Sequence, residues 1–126
     1  MTLKEQKNLI ENSVAKAISS VLNQNVSVKA SYDLEHGIIN VDLDTEEENN
    51  NIETLVHYSI VYSEELSRIA ITSFQRSIHK DGFGPAVIIN NPITIDEEFM
   101  LTIKQTIING AQAAYNATNE SDKPAE

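Results

Sequence analysis

The chain reads as an α+β fold: one antiparallel sheet of three to four strands, with an N-terminal helix and two C-terminal helices packed on it. Three observations predict this. An apolar period of three to four residues opens the chain, and a period of two replaces it over residues 26–44. Residues 82–99, punctuated by glycine and proline, then lead back into a helical period.

The first helix is set by Leu3, Ile10, Val14, Ala17, Ile18, Val21 and Leu22, which recur at helical steps with polar residues between them. Neither proline nor glycine interrupts it, and Asn23 and Asn25 tolerate the left-handed conformation of a helix stop. Val26, Val28, Ala30, Tyr32 and Leu34 then alternate with Ser27, Lys29, Ser31 and Asp33, the pattern of a half-buried strand. Beyond Glu35-His36-Gly37 the alternation resumes in Ile39, Val41 and Leu43, so the two runs form a hairpin with Gly37 at positive φ. Residues 45–51, rich in glutamate and asparagine, have nothing to bury and read as a solvated loop. Val56, Tyr58, Ile60 and Tyr62 predict a third strand, although Ile52, Leu55, Val56, Ser59 and Ile60 also fit a helix; the β-branched and aromatic content favours the strand.

Ser63 is placed as an N-cap, with Glu64 and Glu65 in the first turn, where carboxylates meet the positive end of the dipole. Leu66, Ile69, Ala70, Phe74 and Ile78 then form the stripe of a second helix, which ends at His79 and Lys80 before Asp81-Gly82. Residues 86–89 read as a short extended segment and Asn90-Asn91-Pro92 as a turn. Thr94 with Glu97 three residues on is a capping box, opening a last helix with the face Phe99, Met100, Ile103, Ile107, Ala111 and Ala114. Residues 1–116 thus read as one domain and residues 117–126 as a disordered polar tail.

Composition narrows the function. The chain has 126 residues, no cysteine and a formal charge of −10. Disulfides, thiol nucleophiles and cysteine metal sites are thereby excluded, and direct binding to nucleic acid or anionic lipid is disfavoured by charge. No apolar run reaches the roughly 18 residues of a membrane span. The polar, mixed-charge start lacks the features of a secretory signal, so a cytoplasmic location is expected.

The candidate chemistry is thin. His36, His57 and His79 are far apart in sequence and read as a turn residue, a strand residue on the polar face and a cation at a helix C-terminus. Asp42, Asp44, Glu46, Glu47 and Glu48 could gather a hard cation, but a calcium loop begun at Asp42 would need glycine at its sixth position, where Glu47 stands. These acids read instead as a charged surface that discourages strand pairing. Gly82-Phe83-Gly84 lacks the Lys and Ser or Thr of a phosphate loop. No cofactor or metal is expected.

Gly82-Phe83-Gly84-Pro85, then Val87, Ile89 and Pro92, and the run Ile93-Thr94-Ile95-Asp96 leading to Phe99-Met100, are similar to the C-terminal segment of SecB-type export chaperones. Val41-Asp42-Leu43-Asp44-Thr45 also resembles a strand end of that family. The resemblance implies a four-stranded antiparallel sheet with helices on one face and a helix leading into the glycines. It also implies a homo-oligomer that holds unfolded chains without chemistry.

The expected function is therefore a non-enzymatic protein-binding module, a holdase or adaptor that engages unfolded or partner polypeptides through an apolar surface rimmed by acids. Tyr58, Tyr62, Phe83 and Phe99 are its candidate contacts, with Phe83 the most accessible, since aromatic rings carry much of the energy of protein contacts. Burial in the core is the competing role for Tyr58 and Phe99. Two alternatives stand beside it: an acidic inhibitor whose Asp42, Asp44, Glu46, Glu47 and Glu48 imitate a phosphate row, and a small enzyme with a spatially assembled carboxylate site.

Overall fold

The computed structural model describes residues 2–22, 26–82, 84, 86–90 and 96–121. The elements run α1 (Leu3–Val21), β1 (Val26–Asp33), β2 (Ile38–Asn49), β3 (Ile52–Ser63), β4 (Arg68–His79), β5 (Val87–Asn90) and α2 (Glu97–Ser121). The strands form one five-stranded antiparallel sheet in sequence order, β1-β2-β3-β4-β5, with each strand beside its chain neighbour.

Three tight turns make this meander. The first is a four-residue loop after Asp33 that ends on Gly37 at φ 63°, and the third is a four-residue loop after Ser63 that ends on Ser67 at φ 50°. In both, the residue before the loop accepts main-chain hydrogen bonds: Asp33 Oδ1 from the N–H of Glu35 and His36, and Ser63 Oγ from Leu66. The middle turn is Asn50-Asn51, both at positive φ (51° and 64°), which matches the right-handed twist of a two-residue hairpin. The first and third loops meet at one end of the sheet, where the Glu64 N–H donates to the Gly37 carbonyl at 3.0 Å.

One face of the sheet carries the core. Tyr32, Ile39, Val41, Leu43, Ile60 and Tyr62 point to it, and Ile10, Val14 and Ile18 of α1 and Ile103, Ile107, Ala111 and Ala114 of α2 close over them. The four-residue steps in both helices put these side chains on single stripes, so each helix buries one side. Thr2 caps α1 by accepting the Glu5 N–H at 3.1 Å. Asp96 accepts the Glu98 N–H at 3.0 Å at the head of α2, while Thr94 of the expected capping box lies outside the described residues.

The sheet has five strands, not three or four, and α2 is the one C-terminal helix among the described residues. The expected helix over residues 64–79 is the loop and strand β4 instead. Ala70, Phe74 and Ile78 do recur at helical steps, but they stand on the opposite sheet face from Ile69 and Ile71. A strand apolar on both faces shows no alternation and mimics a helical stripe. His79 accordingly ends a strand and not a helix. The expected loop at 45–51 is the continuation of β2 into its turn, because asparagine supplies the left-handed pair that the hairpin needs. The helix also runs on to Ser121, past the expected start of a tail at 117: the Gln112 amide donates to Asn116, and the Thr118 hydroxyl to the Ala114 carbonyl. The turn at Asn91-Pro92 and the helix stop at Asn23 and Asn25 lie outside the described residues.

The helices come into close contact at Gly110. A Cβ there would stand 3.0 Å from the Val14 Cα and 3.2 Å from the Ser13 carbonyl oxygen, both backbone atoms that cannot turn aside. The Ser13 hydroxyl donates to the Gly110 carbonyl at 2.6 Å across the same contact. Alanine at 110 would gain about 1 kcal/mol of helix propensity and lose about 1–3 kcal/mol to overpacking. Gly110→Ala is therefore expected to lower the unfolding free energy by about 1 kcal/mol. Urea unfolding measures this, and a rise in stability would show that the helices can move apart freely.

Candidate functional site: the open face and free edge of the sheet

The opposite face of the sheet is covered by no element among the described residues. The registers make its composition uneven. On β2, Asp42, Asp44, Glu46 and Glu48 stand at alternate positions, roughly 6.7 Å apart along one strand. On β3, β4 and β5 the same face carries Leu55, Phe74, Ile78 and Ile88, with Glu53 opposite Ile78. These four surround Arg76: Leu55 and Ile88 are its partners on either side, and Phe74 and Ile78 its neighbours two residues away.

His57 lies between the two zones. Its Nδ1 is 2.6 Å from Asp44 Oδ1, its Nε2 is 3.4 Å from Asp42 Oδ1, and Phe74 stands opposite it on β4. The three form a clamped surface ladder, not a ligand set; among the described residues no group of three or more His, Asp or Glu is arranged to hold a metal ion. Glu48 pairs with Lys80, which holds the ammonium pKa above its usual value. Glu47 points to the other face, so the five acids singled out from the sequence do not form one row.

The two edges of the sheet differ. Along β1 the Tyr32 N–H points away from β2 and donates to Glu11 Oε2 of α1 at 2.8 Å, so that edge is partly occupied by a helix. Antiparallel main-chain bonds alternate residue by residue. Carried through the continuous registers, this alternation turns Val87 and Ile89 toward β4, and leaves the N–H and C=O of Ile88 and Asn90 facing outward. The Lys80 N–H donating to the Asn51 carbonyl obeys the same parity. All four residues of β5 are exposed, with Ile88 at 58%, Val87 at 51% and Ile89 at 42% of their surface.

The far ends of β2, β3, β4 and β5 also outrun the helices. No buried residue lies beyond Leu43 on β2, before Ile60 on β3 or beyond Ser73 on β4. On the helix side this end forms an open groove lined by Asn49, Asn50, Ile52, Thr54, Ser77, His79 and Val87.

The predicted contact residues are scattered. Tyr62 is a core residue, 5% exposed. Tyr58 and Phe99 are half-buried and lean on each other under α2, ring centroids 6.4 Å apart, which is the core role weighed for them. Phe83 lies outside the described residues. Of the open-face residues, Phe74 and Ile78 mimic a helix stripe in the sequence, and no local signal groups Leu55 and Ile88 with them, since strand register alone brings the four together.

A second polar cluster ties the other end of the fold together. The Tyr32 hydroxyl donates to Glu64 Oε1 and the Tyr115 hydroxyl to Glu64 Oε2, each at 2.7 Å, and the two hydroxyls lie 3.2 Å apart. Both carboxylate oxygens are thus engaged, and the cluster joins β1, the β3–β4 loop and α2. Burial, aided by the neighbouring carboxylate, pushes both phenol pKa values up, that of Tyr115 most strongly.

Comparison with family models, with curated proteins and with solved structures gives no match for this chain.

The two phenols set an alkaline limit. Their folded pKa values lie above the unfolded value near 10, so the stability that they contribute is present below that pH. It is lost as pH rises past 10, because the unfolded chain ionises first. Stability is expected to hold up to about pH 9.5 and to fall beyond it, and the double change Tyr32→Phe with Tyr115→Phe should flatten that fall. Urea midpoints across this range test it; an unchanged alkaline slope in the double variant would remove the tyrosines as its cause.

Proposed function

We propose that this chain is a non-enzymatic, homo-oligomeric binding protein that holds unfolded or extended polypeptides on the open face of its sheet. One observation carries the reading: Leu55, Phe74, Ile78 and Ile88 gather on an uncovered face beside a row of carboxylates. Apolar residues grouped in this way are a general mark of an interaction surface. The acids keep such a surface soluble and favour clients with basic residues.

The antiparallel sheet with helices on one face also supports the likeness to SecB-type chaperones. Two departures stand against that likeness: the sheet has five strands and not four, and the element entering Gly82 is the strand β4 and not a helix.

The carboxylates at regular steps on β2 favour a second reading, an inhibitor that presents an acidic row to a basic nucleic-acid channel. Asp42 and Asp44 are committed to His57 and Glu48 to Lys80, which leaves Glu46 as the one acid of the row with no partner among those contacts. The apolar face is thus the stronger feature.

The two readings separate by salt. Apolar capture of a reduced, aggregating client should persist when salt is raised from about 0.1 to 1 M, whereas an electrostatic grip should weaken steeply. The change Leu55→Asp with Phe74→Asp should cost capture about tenfold or more, the loss expected for two apolar contacts. Light scattering of the client reports both. Undiminished capture by the double variant would move the binding surface elsewhere.

A further inference from the structure

We propose that β5 is the joint between two copies of this chain: their free edges pair antiparallel about a two-fold axis and join two five-stranded sheets into one of ten. What the joined sheet would do rests on the open-face reading above, but the joint can be tested without it.

Three observations point to a second copy as the occupant. The first is the asymmetry of the edges. Natural sheets guard their edges with charge, proline, short strands or a covering element. Here β1 is guarded by α1 through Glu11, while β5, four residues long with Pro85 and Pro92 beyond its ends in the sequence, still presents Val87, Ile88 and Ile89 exposed, with no charge among them and with outward main-chain groups.

The second is self-complementarity. With Ile88 opposite the partner's Ile88, both residues turn N–H and C=O toward each other and exchange two main-chain hydrogen bonds. On the helix side Val87 then faces the partner's Ile89, and on the open face the two Ile88 side chains meet. The three central pairs in this register are aliphatic, Asn90 falls opposite the partner's Ala86, and the contact is the same from both sides, as a closed two-fold interface requires.

The third is charge. A chain of −10 resists pairing with itself, except where its acids are sparse. Residues 68–90 hold Arg68, Arg76 and Lys80 against Asp81 as the single acid, so a copy can approach β4 and β5 without carboxylates of those strands opposed.

The joint would also enlarge the proposed binding surface. Leu55, Phe74, Ile78 and Ile88 of each copy lie directly beside the junction, so two apolar groups fuse into one band with an acidic β2 row on either flank. A four-residue strand pair is a small interface, and assembly should therefore be reversible in the micromolar range.

The test is light scattering of the full chain over a wide concentration range, with Ile88→Pro as the main variant. Proline at 88 removes the outward N–H and leaves the pairing of Val87 with Ser77 and of Ile89 with Gln75 intact. The wild type should pass from monomer to dimer, and Ile88→Pro should shift that midpoint to at least tenfold higher concentration with an unchanged thermal unfolding midpoint of the monomer. Ile88→Thr keeps the N–H and should shift it less. If Ile88→Pro fails to fold, Ile88→Lys, which sets two ammonium groups against each other at the axis, should abolish the dimer. A wild type that stays monomeric at every concentration overturns the joint, and so does Ile88→Pro dimerising like the wild type. A monomer whose β5 instead takes up an added apolar peptide also overturns it and gives the edge to a peptide. A dimer that captures no client leaves the joint standing and removes the holdase; a strict monomer that captures clients does the reverse.

Discussion

The close approach of α1 and α2 at Gly110 governs the shape of everything around it. With no side chain at 110, the backbone at Ser13 and Val14 comes within van der Waals reach, and the Ser13 hydroxyl bridges the gap to a main-chain carbonyl. The helix layer buries the end of the sheet that bears Tyr32, Ile39 and Tyr62, while strands of 12 residues extend to about 40 Å and hold no buried residue at their far end. That uncovered arm carries the exposed β5 and the groove beside Ile52 and Val87. The Tyr32–Glu64–Tyr115 cluster holds the covered end shut, whereas the far end is tied by contacts between strands, Glu48 with Lys80 and Thr54 with Ser77 among them.

Much of this was legible in the sequence, for reasons that differ by element. The stripe of Ile10, Val14 and Ile18 has one wet side and one dry side, and α1 follows from it. β1 and the first half of β2 alternate cleanly because one face meets the helices and the other water, which leaves no other way to satisfy the pattern. The signal fades where that condition fails. The second half of β2 meets water on both faces, so its glutamates and asparagines looked like a loop. β4 is apolar on both faces at Ile69 and Ile71 on one side and Phe74 and Ile78 on the other, and its alternation vanished into an apparent helical stripe. The enrichment in Ile69, Ile71, Thr72 and Ile78, all β-branched, was the signal that could have identified it.

The same residues explain why the candidate surface was hidden. A binding face on a sheet puts apolar side chains where structural logic expects polar ones, so the residues that make it useful are those that break the pattern. Aromatic content pointed to Tyr58, Tyr62 and Phe99, but large rings are the most effective core fillers, and here they pack beneath α2 and against the sheet. The acidic residues were visible as a composition, yet their division between two faces and their ties to His57 and Lys80 depend on strand register, which no local signal encodes.

Charge and shape then act together on association. The acids lie mainly on β2 and the apolar group on β3, β4 and β5, so the open face is divided along the strand direction. For the proposed binding role, a face divided in this way would recognise by two different terms: the apolar half would supply affinity that salt does not screen, and the acidic half would select the charge of what approaches. Such a surface cannot be closed by another layer of the same fold without burying the carboxylates, a cost of several kcal/mol for each unpaired ion. Lateral growth at β5 is different, since it adds strands beside the apolar half, buries no carboxylate and leaves the divided face open to a client. The proposed edge pairing would thus leave that face uncovered.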